Sequence, residues 1–311
     1  MPMSKIKIDF DACIGCGKCV EICPANVYGM VEKKPEVIAE DACTFCGVCA
    51  DQCPKEAIKI EMKADIAKPK IEFRTRDEYA KYSEALYNIL SLRKSPVSVK
   101  LIFSTGEVPK GMMPFDFPIR HCVAINMAAH GAILYLPVDK HACAAAKASL
   151  GMAELPEKVK NGKIPYMHGL ASSQESAARI MAEIPKLPRG STLGTIVSPL
   201  EKTFFEPNVV ILTVIPKQAM WIANAYLFEE GGPRITSNFA GMQASCADAT
   251  VLPYITKNVN FSMGCYGCRS AGKLADDEMY VGIPIQQLDG VIRSLKGLQK
   301  AMKNLERGGS S

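Results

Sequence analysis

Cysteine is the residue type that carries chemistry in this chain, and its spacing is more informative than its number. Residues 11–24 read DACIGCGKCVEICP and residues 41–54 read DACTFCGVCADQCP, so the second run repeats the first at an offset of 30. Cys13, Cys16, Cys19 and Cys23 thus match Cys43, Cys46, Cys49 and Cys53. Three thiolates this close together need a tight loop whose backbone N–H groups turn toward what they bind. Gly15, Gly17 and Gly47 permit such a loop. Pro24 and Pro54 follow the last cysteine of each run and stop a preceding helix from continuing. Zinc is the rival ligand, but zinc sites draw four ligands as two pairs, not as three consecutive C-x-x-C steps closed by Cys-Pro.

The two runs resemble those of bacterial-type two-cluster ferredoxins at every ligand position. In that pattern the first three cysteines of a run hold one cube and the fourth ligates the other. The resemblance therefore implies one [4Fe–4S] cluster on Cys13, Cys16, Cys19 and Cys53, and a second on Cys43, Cys46, Cys49 and Cys23. It also implies one-electron transfer at low potential.

Of the 13 cysteines, five remain: Cys122, Cys143, Cys246, Cys265 and Cys268. Cys265 and Cys268 form a C-x-x-C pair bracketed by glycines in FSMGCYGCRSAGK, a metal half-site or a redox dithiol by its spacing. With Cys143 and Cys246 they complete the four ligands of a hypothetical third [4Fe–4S] cluster. Zinc, a dithiol and simple burial stand behind that reading. Cys122, in RHCVAINMAAH, reads as a small buried hydrophobe. His121 and His141 flank cysteines and could tune or replace a thiolate, although each reads first as an ordinary helix residue. Arg269 could steady a thiolate centre or bind an anion. Glu278 reads as a surface charge or cap.

The elements that must position these groups follow from periodicity. KIKIDF and AIKIEM alternate as short strands closing the N-terminal unit. SPVSVKLIF, AILYLPV and NVVILTVI are apolar strands. RDEYAKYSEALYNILSL spaces Tyr79, Tyr82, Leu86 and Leu90 as an amphipathic helix. SSQESAARIMAEI begins with Ser172 and Glu175 placed as a capping box. PKQAMWIANAYLFEEGG starts with Pro216 in its first turn and stops at Gly231–Gly232. A stripe of Leu288, Val291, Ile292, Leu295, Leu298 and Met302 is expected in the core, with a homodimer interface as its rival. The expected fold is an α+β ferredoxin-type N-terminal module followed by a larger α/β domain. Expected boundaries are a two-cluster module over 1–62, a linker over 63–76 with KIEF as an optional strand, the α/β domain over 77–307 and a flexible tail over 308–311.

Composition limits the function classes. Hydrophobic residues make up 48% and charged residues 22%, a globular balance. The start lacks a signal-peptide pattern and no apolar run suits a membrane span, which gives an expectation of a reducing cytoplasm and no membrane partner. Net charge is −3 over residues 1–62 and +8 over the rest, mixed in sign throughout. Aromatic residues are only 7%, and no nucleic-acid-binding signature accompanies the charge, so none is expected as a partner. Dinucleotide, P-loop and nucleophile-elbow fingerprints are absent, and a flavin bound without a fingerprint stays open.

The larger part resembles a cysteine-rich family of mainly archaeal and anaerobic bacterial proteins, the domain of unknown function 169. SPVSVKLIF, RHCVAINMAAHGAILYLPVDKHACAAAKASLGM, PNVVILTVIPKQAMWIANAYLFEEGG, GMQASCADA and SMGCYGCRSAGKLADDEMYVGIPIQQLDGVI carry the likeness, from about Asp77 to Leu305. The resemblance implies a fold grouping and an anaerobic setting, and no reaction. The expectation is an electron-transfer protein feeding a third centre and a redox partner protein. The alternative is a self-contained oxidoreductase acting on a small-molecule substrate. An iron–sulfur assembly factor ranks below both.

Overall fold

A computed structural model of the chain describes residues 4–23, 26–40, 43, 48–51, 53–62, 75–229, 231 and 234–308. Pro24, Cys46, Gly47, the KIEF segment with most of the linker, Gly232 and residues 309–311 lie outside it. The chain divides into two compact units, Met1–Glu72 with Ala153–Ser191 and Phe73–Met152 with Thr192–Ser311.

In the first unit, β1 (Ser4–Ile8) pairs antiparallel with β4 (Ile58–Met62), with Ile6 opposite Ile60, so the two alternating segments close on each other. A hairpin of β2 (Tyr28–Val31) and β3 (Lys34–Val37) lies between them in sequence. The helices α1 (Lys18–Ile22) and α2 (Val48–Asp51) fall at equivalent places in the two repeats. The short helices α6 (Glu157–Lys160), α7 (Lys163–Met167) and α8 (Gln174–Ala182) belong to the same unit. The cap of α8 is Ser173, whose Oγ accepts from Ser176 N at 3.1 Å, one residue after the expected Ser172. Glu175 is drawn to Ser173, which shifts the whole cap by one position.

The second unit is an α/β region of mixed helices and strands. Its six strands are β5 (Val97–Ile102), β6 (Leu134–Pro137), β7 (Gly194–Pro199), β8 (Val209–Val214), β9 (Asn260–Ser262) and β10 (Met279–Pro284). They lie in the order β6-β7-β5-β8-β10-β9, and each neighbouring pair is antiparallel. Side chains alternate across the sheet, which gives it two apolar faces. Val210, Leu212, Val214, Val281 and Ile283 pack with α3 (Arg76–Leu90), α9 (Pro216–Phe228) and α12 (Ile285–Gly308). Leu288, Val291, Ile292 and Leu295 of α12 are buried there as core, while Met302 is exposed. Thr75 caps α3 in a full capping box with Glu78, and Pro216 opens α9 as expected.

On the opposite face, Val97, Val99, Val197, Val209, Ile211 and Tyr280 pack with α4 (His121–Ala129) and its neighbours. This face also carries a π-helix, Ala244–Val251, with all eight residues buried. Around it stand α5 (Ala144–Ser149), α10 (Leu252–Thr256) and α11 (Tyr266–Ser270). The cysteines left over from the N-terminal repeat are all on the elements of this face. No helix among the described residues is long and apolar enough to cross a membrane.

Candidate redox centres

The N-terminal repeat builds a place for a cluster from both of its ends. Cys13, Cys16 and Cys19 line a common hollow together with Cys53 from the second run. Gly15 and Gly17 hold positive φ angles of 68° each, and a Cβ on Gly15 would come within 2.2 Å of the Lys33 carbonyl oxygen. Lys34 Nζ ties the loop down by donating to the carbonyls of Phe10 at 2.8 Å and Cys13 at 2.7 Å. Backbone N–H groups also point at sulfur: Val27 N donates to Cys23 Sγ at 3.4 Å and Ala57 N to Cys53 Sγ at 3.3 Å. These two bonds occupy equivalent positions of the repeat. Burial raises Cys19, and the neighbouring Cys13 and Cys16 charges raise it further.

Cys23, Cys43 and Cys49 gather around Tyr28, whose hydroxyl lies 3.0 Å from Cys49 Sγ. Burial and those thiolates push the tyrosine hydroxyl well above its usual range, so it stays protonated beside them. Cys46, the remaining member of that set, lies outside the described residues. Where the described cysteines line a common hollow and are met by N–H donors, the donor set suits a thiolate-held cube.

The second unit brings together Cys246, Cys265, Cys268 and Cys122, with Cys143 near enough for its charge to act on Cys246. Cys265 caps α11 half-buried, and Cys268 one turn later is fully buried. The Cys265 thiol donates to Cys268 Sγ at 3.2 Å. Cys268 is in turn hydrogen-bonded to Cys122, whose thiol donates to the Gly267 carbonyl at 3.5 Å. Cys122 is therefore a member of a thiol chain and not merely a filler of the core.

The π-helix supplies the polar surroundings. N–H groups of its first turn reach the sulfurs: Ala244 meets Cys265, Ser245 meets Cys268 and Ala247 meets Cys246. Wide π turns recur at functional sites because they turn backbone groups out of the regular ladder. Tyr280, buried on β10, hydrogen-bonds Cys268, the same kind of contact that Tyr28 makes with Cys49. The hydrogen bond to Cys122 pushes Cys268 up to about 11, and burial drives Cys246 well above its usual range. Without a metal, Cys246, Cys265 and Cys268 are thus neutral thiols at pH 7.

Fit to a third cluster turns on one distance. Two thiolates on a single tetrahedral metal, with bonds of about 2.3 Å, stand roughly 3.8 Å apart, and those on separate irons stand farther apart still. At 3.2 Å, Cys265 and Cys268 are in sulfur–sulfur contact and would have to part to take up either role. Among the described residues, no group of three or more His, Cys, Asp or Glu is placed to hold one metal ion.

The side chains around the centre were read less well from the sequence. Glu278 is buried and paired with Lys94 at 2.6 Å, not a surface charge. Arg269 spends its guanidinium on the carbonyls of Met263, Ala275 and Glu278, which clamps the loop carrying the pair. Asp248, buried in the π-helix, accepts from Ser262 Oγ at 2.7 Å, and no signal in the sequence marked it. His121 and His141 are buried with rings 5.9 Å apart, and their Nε2 atoms pair with Thr250 and Thr195 rather than with cysteine.

These buried groups fix the acid response. Burial, the largest cause for each, lowers His121 to about 3 and His141 to about 4 and raises Asp248 to about 7. The unfolded chain takes up histidine protons near pH 6.5 that the folded chain refuses, so their contribution is whole above 6.5 and is lost as pH falls. At pH 5 that is about 2 kcal/mol per histidine. Asp248 acts oppositely, because its folded carboxyl keeps a proton that the unfolded one gives up. Acidifying from pH 7 to 5 returns about 2 kcal/mol through it. Urea unfolding followed by Trp221, the single tryptophan, should show a net loss of about 2 kcal/mol across that interval. His141→Gln should nearly abolish the loss and Asp248→Asn should double it. Parallel curves for all three proteins would refute the assignment.

Comparison with known proteins finds a family match for each part of the chain. Residues 5–54 match the 4Fe-4S dicluster domain, which makes the N-terminal part an iron–sulfur module. Residues 85–294, more than half of the chain, match the family described as "Uncharacterised ArCR", the domain of unknown function 169, and the chain belongs to that family. An "uncharacterized protein" of Methanocaldococcus jannaschii is 31% identical over 222 residues, 71% of this chain and 94% of that protein. A ferredoxin of Pyrococcus woesei is 75% identical over 20 residues, 6% of this chain and 95% of that protein.

Proposed function

We propose that this chain is an iron–sulfur electron-transfer protein that delivers low-potential electrons to a thiol centre in its C-terminal unit. When bound, the two N-terminal clusters, on Cys13, Cys16, Cys19 and Cys53 and on Cys43, Cys46, Cys49 and Cys23, supply single electrons, two per chain. One observation carries the reading. Cys246, Cys265 and Cys268 converge on a single turn of a buried π-helix, in a chain that also carries a dicluster domain. A redox partner protein is the natural source of the electrons. Cys265, which is only partly buried, favours the enzymatic form of this function, an oxidoreductase acting on a molecule that reaches the pair from solvent.

Coulometric reductive titration of the anaerobically purified full chain tests the reading, with iron measured on the same sample. A thiol centre in its disulfide state gives about eight irons and an uptake of about four electrons, two of them beyond the clusters. A third cluster on Cys143, Cys246, Cys265 and Cys268 gives about twelve irons and about three electrons. Uptake of about two electrons with eight irons, from a sample first oxidised with excess disulfide, would leave the C-terminal unit without a redox centre and sink the proposal.

A further inference from the structure

We infer that Cys265 and Cys268 are a redox-active dithiol, with Cys265 the sulfur that meets a disulfide substrate and Cys268 the sulfur that resolves it. The inference rests on the electron-transfer reading for its source of electrons and otherwise on the geometry of the pair. The two sulfurs stand 3.2 Å apart, so about 1.1 Å of approach reaches the S–S bond length of about 2.05 Å. The pair is asymmetric, as exchange chemistry requires. Cys265 is partly buried beside Tyr266 and Met263, which are 81% and 52% exposed, whereas Cys268 is fully buried. The hydrogen bond to Cys268 and burial hold the Cys265 thiol above its ordinary range, and the Ala244 N–H and Ser245 N–H of the π-helix act against the upward shifts at Cys265 and Cys268. Cys122 holds Cys268 by a hydrogen bond and is a positioning residue.

The steps balance. Cys265 gives up its proton and attacks one sulfur of the substrate disulfide. The substrate S–S bond breaks, one substrate thiolate leaves and takes a proton, and a mixed disulfide remains on Cys265. Cys268 gives up its proton and attacks Cys265 Sγ. The mixed disulfide breaks, and the second substrate thiolate leaves and takes a proton. The substrate has gained two electrons and two protons, and the Cys265–Cys268 pair has lost them. Two low-potential electrons from the iron–sulfur module and two protons from water reopen the protein disulfide.

Bis(2-hydroxyethyl) disulfide is a suitable probe, applied to the reduced full chain under anaerobic conditions and followed by iodoacetamide labelling and peptide mass analysis. The wild-type chain should lose two alkylatable thiols, both in the peptide containing Cys265 and Cys268, and dithionite should restore them. Cys268→Ser should trap half of the probe on Cys265, and Cys265→Ser should neither trap it nor lose a thiol at Cys268. Full alkylation of both cysteines after probe treatment would overturn the inference. So would a bond mapped between Cys122 and Cys268, or protection of the pair in both redox states of a protein carrying about twelve irons. Should Cys268→Ser fail to fold, Cys265→Ser at the partly buried position decides the matter, provided that its Trp221 unfolding midpoint matches wild type. Cluster reduction is read separately by electron paramagnetic resonance. Loss of that signal after dithionite would count against the electron-transfer reading, while the thiol result stands on its own.

Discussion

The Cys13→Ala/Cys53→Ala double variant should retain about four of roughly eight iron atoms per chain, no fewer than either single variant. Two ligands of one cluster can lose that cluster only once, so their effects on iron content do not add. The expectation follows from the cavity that Cys53 shares with Cys13, Cys16 and Cys19. Cys23 instead lies with Cys43 and Cys49 around the Tyr28 hydroxyl. Cys13→Ala/Cys23→Ala, by contrast, removes one ligand from each set and should leave almost no iron. Iron and acid-labile sulfide after anaerobic reconstitution decide between the two patterns. An iron-free Cys13→Ala/Cys53→Ala protein alongside a Cys13→Ala/Cys23→Ala protein with about four irons would mean that each run holds its own cluster. Alanine is the better probe here, because a serine oxygen can stand in as a ligand and blur the count.

That ligand sets can be named at all from sequence reflects how local they are. Cys13, Cys16 and Cys19 lie within one loop, and the resemblance of the repeat to two-cluster ferredoxins is what implies Cys53 as their partner. The strands that close the unit were equally legible, since KIKI and IKIE alternate and pair residue for residue. In the second unit the apolar runs identified β5, β6 and β8, and the helices α3, α9 and α12 followed from their stripes and caps. Strand order did not follow, because pairing β5 between β7 and β8 is decided by contacts about a hundred residues apart. The short β9 and the strand β10, whose Gly282 and Pro284 interrupt an apolar run, offered no clear period to read.

Cys122 shows the same limit at the site. On its own helix it is one more small residue on a buried face, and nothing within RHCVAINMAAH distinguishes it from the neighbouring alanines. Its role appears only when α11, 145 residues later, lays the Gly267 carbonyl and Cys268 against it. The π-helix was hidden for a related reason: widening a helical turn by one residue leaves no signature in ASCADATV that an ordinary helix would lack. Glu278 was misjudged because Asp276 and Asp277 precede it, and an acidic run normally faces solvent. The fold turns only the third of these carboxylates inward, toward Lys94.

Gly282→Ala should destabilise the second unit by about 3 kcal/mol or more. Gly282 is on the face of β10 shared with Tyr280, directly beneath the π-helix. A Cβ there would come within 2.2 Å of the Ala249 carbonyl oxygen, 2.8 Å of its carbon and 2.6 Å of Pro253 Cγ. Two of those three atoms are backbone, so no rotamer change relieves the clash, and the helix itself has to lift off the sheet. Lifting it also moves Ala244 and Ser245 away from Cys265 and Cys268, so the thiol pair should lose its selective reaction with the probe disulfide even where the unit still folds. Gly106→Ala is the matched control, because a Cβ at Gly106 meets nothing within 4 Å and should change stability by less than about 0.5 kcal/mol. Urea unfolding followed by Trp221 measures both. A Gly282→Ala midpoint equal to that of Gly106→Ala would mean that the π-helix does not press on β10, and the positioning of the pair would then need a different explanation.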